Sequence, residues 1–300
     1  MDRDLLSHLP VVLTVARRGG FGAAASELGM SPSSVSHAVK LVEERLGAPL
    51  FARTTRSVAL TELGERFVSL ASAGLAELNT AWELAQSELS GASGLLRINA
   101  PRITLDWVLK PILAAMAEDY PGVTIEVFFE DGLADVVGEG FDAGIRLGRM
   151  VSDAMIGVRI APAFRVILVA SPTYCARRGE PKSVSDLTAH QCLQYRMTSA
   201  GNIYRWDLSE GGADVQVDTK GGVIVNDMLQ ALSLAEAGFG ICYTFEPLAR
   251  RAIERGALVE VLPEAAIEED GLTLYYPRRA SQAPKLRAFV DTARRYLTSR

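Results

Sequence analysis

Ser33, Ser34, Ser36, His37 and Lys40 follow closely on a segment that opens with Ser31 and Pro32. Short hydroxyls and an imidazole reach base edges in a major groove, and a following cation suits a phosphate. Further along, Arg53-Thr54-Thr55-Arg56 places two guanidiniums around a polar tip, which suits phosphate or minor-groove contact. A second set lies in the last two thirds of the chain. Pro101-Arg102-Ile103-Thr104, Arg146, Tyr195-Arg196, Asn226-Asp227 and Thr244-Phe245 all fall where an apolar run ends. Two of these junctions open helices, whose first N–H groups hold anions. Arg146 adds a group that grips carboxylates bidentately. The set therefore points to a small ligand bearing a carboxylate. Asp131, Asp227 and Glu246 are close enough to oppose that field, or to hold an ammonium group instead. Asn226 reads equally as a ligand contact and as a helix N-cap.

The elements that must carry these residues belong to a chain of 300 residues, 48% hydrophobic and 22% charged, with net charge −5. That length is about twice a usual domain and implies more than one; the composition excludes a largely disordered chain. Net negative charge argues against a surface that grips DNA everywhere. Locally the balance differs: between Ser31 and Val58, Lys40, Arg45, Arg53 and Arg56 outnumber Glu43 and Glu44. No apolar run reaches the roughly 18 residues of a membrane helix, so no membrane partner is expected. Asp2, Arg3 and Asp4 stand where a secretory leader needs a basic end and an apolar run, so a cytoplasmic location is expected. Cys175, Cys192 and Cys242 are widely spaced and apart from His8, His37 and His190. Reduced thiols, no metal and no cofactor follow, and a thiol switch is the minor alternative. No nucleophile comes with a base and an orienting group, so an enzyme is not expected. The Gly138–Gly144 stretch lacks the spacing of a dinucleotide loop.

Leu9, Val12, Leu13 and Ala16 share one face of a helix from about Ser7 to Arg17, with Pro10 placed in its first turn. Gly19-Gly20 stops it. A short helix follows from Gly22 to Leu28, ended by Gly29. Ser31 caps a third, Pro32 starts it, and Val35, Ala38, Val39, Val42 and Leu46 form its inner face. Two short helices with a tight glycine turn and an outward polar second helix make a helix-turn-helix. Leu50 to Leu60 reads as two strands around a tip, a wing. Thr61 caps a long helix running to about Leu89. Its stripe of Leu63, Phe67, Leu70, Gly74, Leu78, Ala81, Ala85 and Leu89 is expected to pair with a second copy. Ser90 to Gly94 forms a hinge.

The stretch FGAAASELGMSPSSVSHAVKLVEERLGAPLFARTTRSVALTELGERF resembles the N-terminal domain of LysR-type transcriptional regulators. Gly20 stands where that family often has a capping serine, and Leu41 where a basic residue is common.

From Leu95 the pattern alternates. Strands are expected at 95–99, 123–129 and 142–147, with helices at 107–119 and 134–139. A second set holds strands at 164–170, 240–243 and 258–262 and helices at 227–237 and 247–255. A strand at 272–276 and a helix at 284–297 return to the first set. This βαβ order implies parallel sheets in two lobes with a double crossover, and a ligand in the crevice between them. LLRINAPRITLDWVLKPILAAMAEDYPGV, GFDAGIRLG, VILVASPTYCARRG, DLTAHQCLQYR and NDMLQALSLAEAGFGI resemble the LysR effector domain.

The expected fold is therefore α/β: an N-terminal all-α winged helix-turn-helix over 1–61, a long linker helix and hinge over 62–91, and a two-lobed periplasmic-binding-protein-like effector domain over 92–300. Lobe I spans 92–163 and 267–300, and lobe II 164–266. The resemblance implies a regulator that binds double-stranded DNA as a dimer or dimer of dimers. A small-molecule effector controls it, and polymerase access to the DNA changes with the arrangement. A ligand-independent regulator and a solute-binding module are the rivals.

Overall fold

A computed structural model describes residues 3–53, 58–132, 136, 138–152 and 154–298. The chain divides into two compact units, Met1–Gly91 with Asp135–Phe141, and Ala92–Ala134 with Asp142–Arg300.

The first unit begins with α1 (Arg3–Arg18), α2 (Phe21–Leu28) and α3 (Pro32–Leu46). α1 starts earlier than the sequence suggests, so Pro10 lies inside the helix rather than in its first turn. An interior proline costs about 3 kcal/mol. Burying Val11, Val12 and Val15 offsets it, at about 1.5–3 kcal/mol per side chain. These valines pack against Ala24 and Ala25 of α2 and Val35, Ala38, Val39 and Val42 of α3. Gly20 precedes α2 without a side-chain cap, as its lack of a hydroxyl requires. The left-handed Gly29 (φ 63°) ends that helix. The wing strands β1 (Phe51–Arg53) and β2 (Val58–Leu60) pair antiparallel. Glu43 ties α3 to β1: its Oε1 accepts from Leu50 N (2.8 Å) and Phe51 N (3.1 Å). α4 (Glu62–Ser90) follows, with the Thr61 hydroxyl accepting from Gly64 N at 2.9 Å.

In the second unit, β3 (Gly94–Ala100) leads through a π-turn at Leu105–Leu109 into α5 (Lys110–Asp119). β4 (Val123–Phe129), β5 (Ala143–Leu147), β6 (Met155–Arg159) and β7 (Phe164–Ala170) come next. Of the helix expected at 134–139, Val136, Gly138 and Glu139 form turn instead, and the other three residues lie outside the described residues. α6 (Pro172–Arg178), β8 (Gln194–Tyr195), β9 (Trp206–Glu210), β10 (Ala213–Val217) and β11 (Ile224–Val225) build lobe II. It is completed by α7 (Met228–Glu236), β12 (Cys242–Phe245), α8 (Glu246–Glu254), β13 (Val259–Val261) and β14 (Ile267–Glu269). β15 (Leu272–Pro277) and α9 (Pro284–Thr298) belong to lobe I.

The lobe I sheet has five strands in the order β4-β3-β5-β15-β6. β3 runs parallel to β4 and β5, while β15 is antiparallel to β5 and β6. Lobe II departs from the expected parallel sheet: β12, β13 and β14 all pair antiparallel with β7. Parallel pairing there is confined to β8 with β11 and a Cys192–Ile241 bridge. Because β14 belongs to the β7 sheet, the return to lobe I falls after Glu269 rather than at residue 267. The two lobes share one apolar core, in which Trp107 meets Phe164 edge-on at 4.7 Å and Phe164 meets Phe245 at 4.8 Å. No described helix is long and apolar enough to cross a membrane.

Candidate nucleic-acid interface and ligand cavity

The inner face of α3 is buried, which turns Ser33, Ser34, His37 and Lys40 outward and leaves them exposed. Ser36 is half-buried. Ser31 plays a structural part, in that its Oγ accepts from Ser34 N at 3.1 Å and bonds the Ser33 and Ser34 hydroxyls, each at 2.8 Å. It is the N-cap of α3 and organises its neighbours. Lys40 pairs loosely with Glu44 at 3.3 Å, both exposed. Such a surface pair is worth under about 1 kcal/mol, so a phosphate can replace it. Arg53 ends β1; its side chain and all of Thr54, Thr55 and Arg56 lie outside what is described.

The lobes enclose a cavity of about 200 Å³. Tyr195, Tyr204, Trp206, Tyr243 and Phe245 line it, with Met150, Met197 and Met228. Trp206 stacks on Tyr243 at 5.6 Å, and Tyr204 lies 5.8 Å from Tyr243. The charged groups of the wall are Asp131, Arg146 and Glu269.

Of the ligand residues expected from sequence, Ile103, Arg146, Tyr195 and Phe245 line this cavity. Others do not. Thr104 is fully buried and its hydroxyl donates to Pro101 O at 2.6 Å. Its own N–H also goes to Pro101 O, so that helix start is closed to an anion. Asp227, not Asn226, caps α7: its Oδ1 accepts from Leu229 N (2.9 Å) and Gln230 N (3.2 Å). Asn226 is exposed in a separate depression beside Arg196. Thr244 is fully buried in β12, and its hydroxyl has no partner among the described residues.

Arg146 reaches the crevice as expected but holds the wall together. Nη1 donates to Ile145 O at 2.6 Å, and Nη2 to Asn99 Oδ1 at 2.6 Å and to Gly132 O. Arg102 sits between the lobes. Its N and Nη1 bind Asp131, each at 3.0 Å, and its Nε lies 3.7 Å from Asp227. The three anion-holding groups read from the sequence thus all make bonds to internal partners.

The sequence reading missed Tyr204, Trp206, Tyr243 and the three methionines. A usable signal existed: alternating Trp206–Glu210 and Ala213–Val217 flank Gly211-Gly212, a hairpin turn whose two glycines have φ of 61° and 84°.

Burial pushes the Cys192 and Cys242 thiols up to about 12, and raises Cys175 as well, with Glu180 adding to the effect. A thiol with a pKa near 12 is only about one part in ten thousand thiolate at pH 8. We expect iodoacetamide at pH 8 to leave Cys192 and Cys242 unlabelled in the native protein and to label both after denaturation, read by peptide mass spectrometry. Native labelling at the rate of a free thiol would revive the thiol-switch alternative. No group of metal-ligating side chains is present among the described residues.

Comparison with known proteins agrees with both units. Residues 6–65 match the family described as bacterial regulatory helix-turn-helix protein, lysR family, and residues 89–298 match the LysR substrate binding domain. The chain is 34% identical over 291 residues to the HTH-type transcriptional regulator PgrR of Escherichia coli K12, covering 97% of each. It is also 34% identical over 286 residues to the HTH-type transcriptional regulator YcaN of the same organism, covering 95% of this chain and 93% of that one. The full-length structure of AphB, a virulence activator of Vibrio cholerae, superposes with a TM-score of 0.67 at 27% identity, covering 97% of this chain and 99% of that one. The chain belongs to the LysR family of transcriptional regulators. It is a DNA-binding regulator with an effector-binding domain, not an enzyme.

Proposed function

We propose that this regulator binds a two-fold operator as a dimer paired through α4, and that a small molecule in the lobe cavity sets the arrangement of the dimers. The observation that carries the dimer is the outer face of α4. Leu70, Leu78 and Trp82 are 76, 63 and 68% exposed, and Gly74 shares their spacing of four residues. Large apolar side chains that recur at this spacing and meet solvent ask for a partner helix. On each protomer, Ser33, Ser34 and His37 read bases, with Ser36 at the edge of the contact. Lys40, Arg53 and the wing tip hold the backbone. A ligand shifts the assembly only by binding one arrangement more tightly than the other. The rearranged DNA then changes RNA polymerase access, and a DNA partner of this kind places the protein in the cytoplasm.

Selection from random-sequence DNA tests this. The parent is expected to enrich an inverted repeat with half-sites about one helical turn apart. His37→Ala should lose about 1–3 kcal/mol on that sequence. Leu78→Glu with Trp82→Glu should sediment as a monomer and bind the repeat far more weakly. Enrichment without dyad symmetry, or a double variant that still sediments as a dimer, would sink the proposal.

A further inference from the structure

We propose that the cavity takes an uncharged, single-ring aromatic compound bearing a hydrogen-bond acceptor, with the ring against the Trp206–Tyr243 wall and the acceptor on the Tyr195 hydroxyl. This rests on the ligand-controlled reading above. Size comes first: an apolar cavity of about 150 Å³ holds benzene, and this one is about 200 Å³. Its wall is aromatic and thioether, which favours a flat apolar body.

Charge comes next. Both bidentate modes of an arginine, side-on and end-on, use Nη2. In Arg146 that nitrogen already gives its two protons to Asn99 Oδ1 and Gly132 O. A bidentate carboxylate would have to break one of these bonds, and it would face Asp131 and Glu269 in the same wall. A cation gains little either, because Asp131 already receives two donors from Arg102 and Glu269 is itself engaged within the protein.

Tyr195 is different. Its hydroxyl makes no hydrogen bond to a described residue, and it lines the cavity. Burial, then the carboxylates of Asp131 and Asp227, push its phenol up to about 12. It therefore stays protonated and ready to donate throughout the neutral range.

The test uses the full chain and three probes of one shape: benzamide, benzoate and benzylammonium. Binding is read by calorimetry and by melting-point shift, for the parent, Tyr195→Phe and Met228→Trp. The half-buried Met228 lines the cavity, so a larger ring there fills it; an unchanged ligand-free melting point shows that this variant still folds. We expect benzamide to bind at least tenfold more tightly than benzoate or benzylammonium. Tyr195→Phe should weaken benzamide about fivefold, and Met228→Trp should abolish binding. Benzoate or benzylammonium binding as well as benzamide, and lost in Met228→Trp, would overturn the ligand class and leave the cavity as the effector site. Unchanged benzamide affinity in Tyr195→Phe would overturn the acceptor contact. Binding that survives Met228→Trp would lie elsewhere and overturn the cavity reading too. No binding by any probe up to millimolar concentration would overturn the proposed class.

Discussion

Gly64→Ala is expected to destabilise the N-terminal unit by about 3 kcal/mol and to abolish operator binding. A Cβ on Gly64 would stand 2.0 Å from Leu50 O and 3.0 Å from its carbonyl carbon. Those are backbone atoms of a fully buried residue and cannot swing aside as a side-chain tip would. The same Leu50 carbonyl accepts from Thr61 N at 2.9 Å, and the Thr61 hydroxyl accepts from Gly64 N. One added methyl therefore forces the first turn of α4 away from Leu50, the residue that leads into β1, and strips its cap. α4 begins directly after the wing, so the wing moves with it. Helix propensity pulls the other way, since alanine exceeds glycine by about 1 kcal/mol in a helix interior, but the clash is the larger effect. Gly22→Ala in α2 is the control: nothing lies within 4 Å of its added Cβ, so the propensity gain should appear alone. Denaturant titration with a mobility-shift assay checks both. If Gly64→Ala unfolds within about 0.5 kcal/mol of the parent, the contact is not the constraint claimed.

The two halves of the molecule were unequally legible in sequence because their information is of unequal range. α3 could be read from Ser31, Pro32 and the inward row Val35–Val42, all within a few turns of chain. Its exposed polar face follows from that row with no further fact. Pro10 misled because a local rule about proline was overruled by the burial of three valines. The cavity depends on partners far apart in the chain. Arg146 has the residue type and strand-end position of a carboxylate receptor. Its actual use is decided by Asn99, 47 residues away, and by Gly132 O, 14 residues away. The helix starts at Thr104 and Asp227 fail as anion sites for a nearer reason: the Thr104 N–H is taken by Pro101 O, and the Asp227 carboxylate itself caps α7. That competition is local, and a capping argument applied to Asp227 resolves the choice left open at Asn226. The aromatic wall was missed because burial of Trp206 depends on a hairpin folding back over β14 and Tyr243.

That hairpin sets the second large effect. Trp206→Ala is expected to cost about 3–5 kcal/mol, against under about 1 kcal/mol for Met150→Ala in the same cavity. The two residues both line the pocket, so ligand contact alone would not separate them. Their burial does: Trp206 is 1% exposed and Met150 40%. Removing the indole leaves Tyr243 without its stacked partner and opens a void beside Leu208, itself fully buried on the same strand. Tyr204 would keep its bond to Asp207, whose other oxygen holds Gln216 Nε2 at 2.8 Å, so the hairpin retains its polar tie while losing its apolar anchor. The unfolding transition should therefore move to lower denaturant, and the near-ultraviolet circular dichroism of the Trp206–Tyr243 pair should be missing from the folded variant. A cost below about 1 kcal/mol would mean that the hairpin is held by its backbone pairing alone. The cavity would then have a movable wall, and its size would no longer select for one ring.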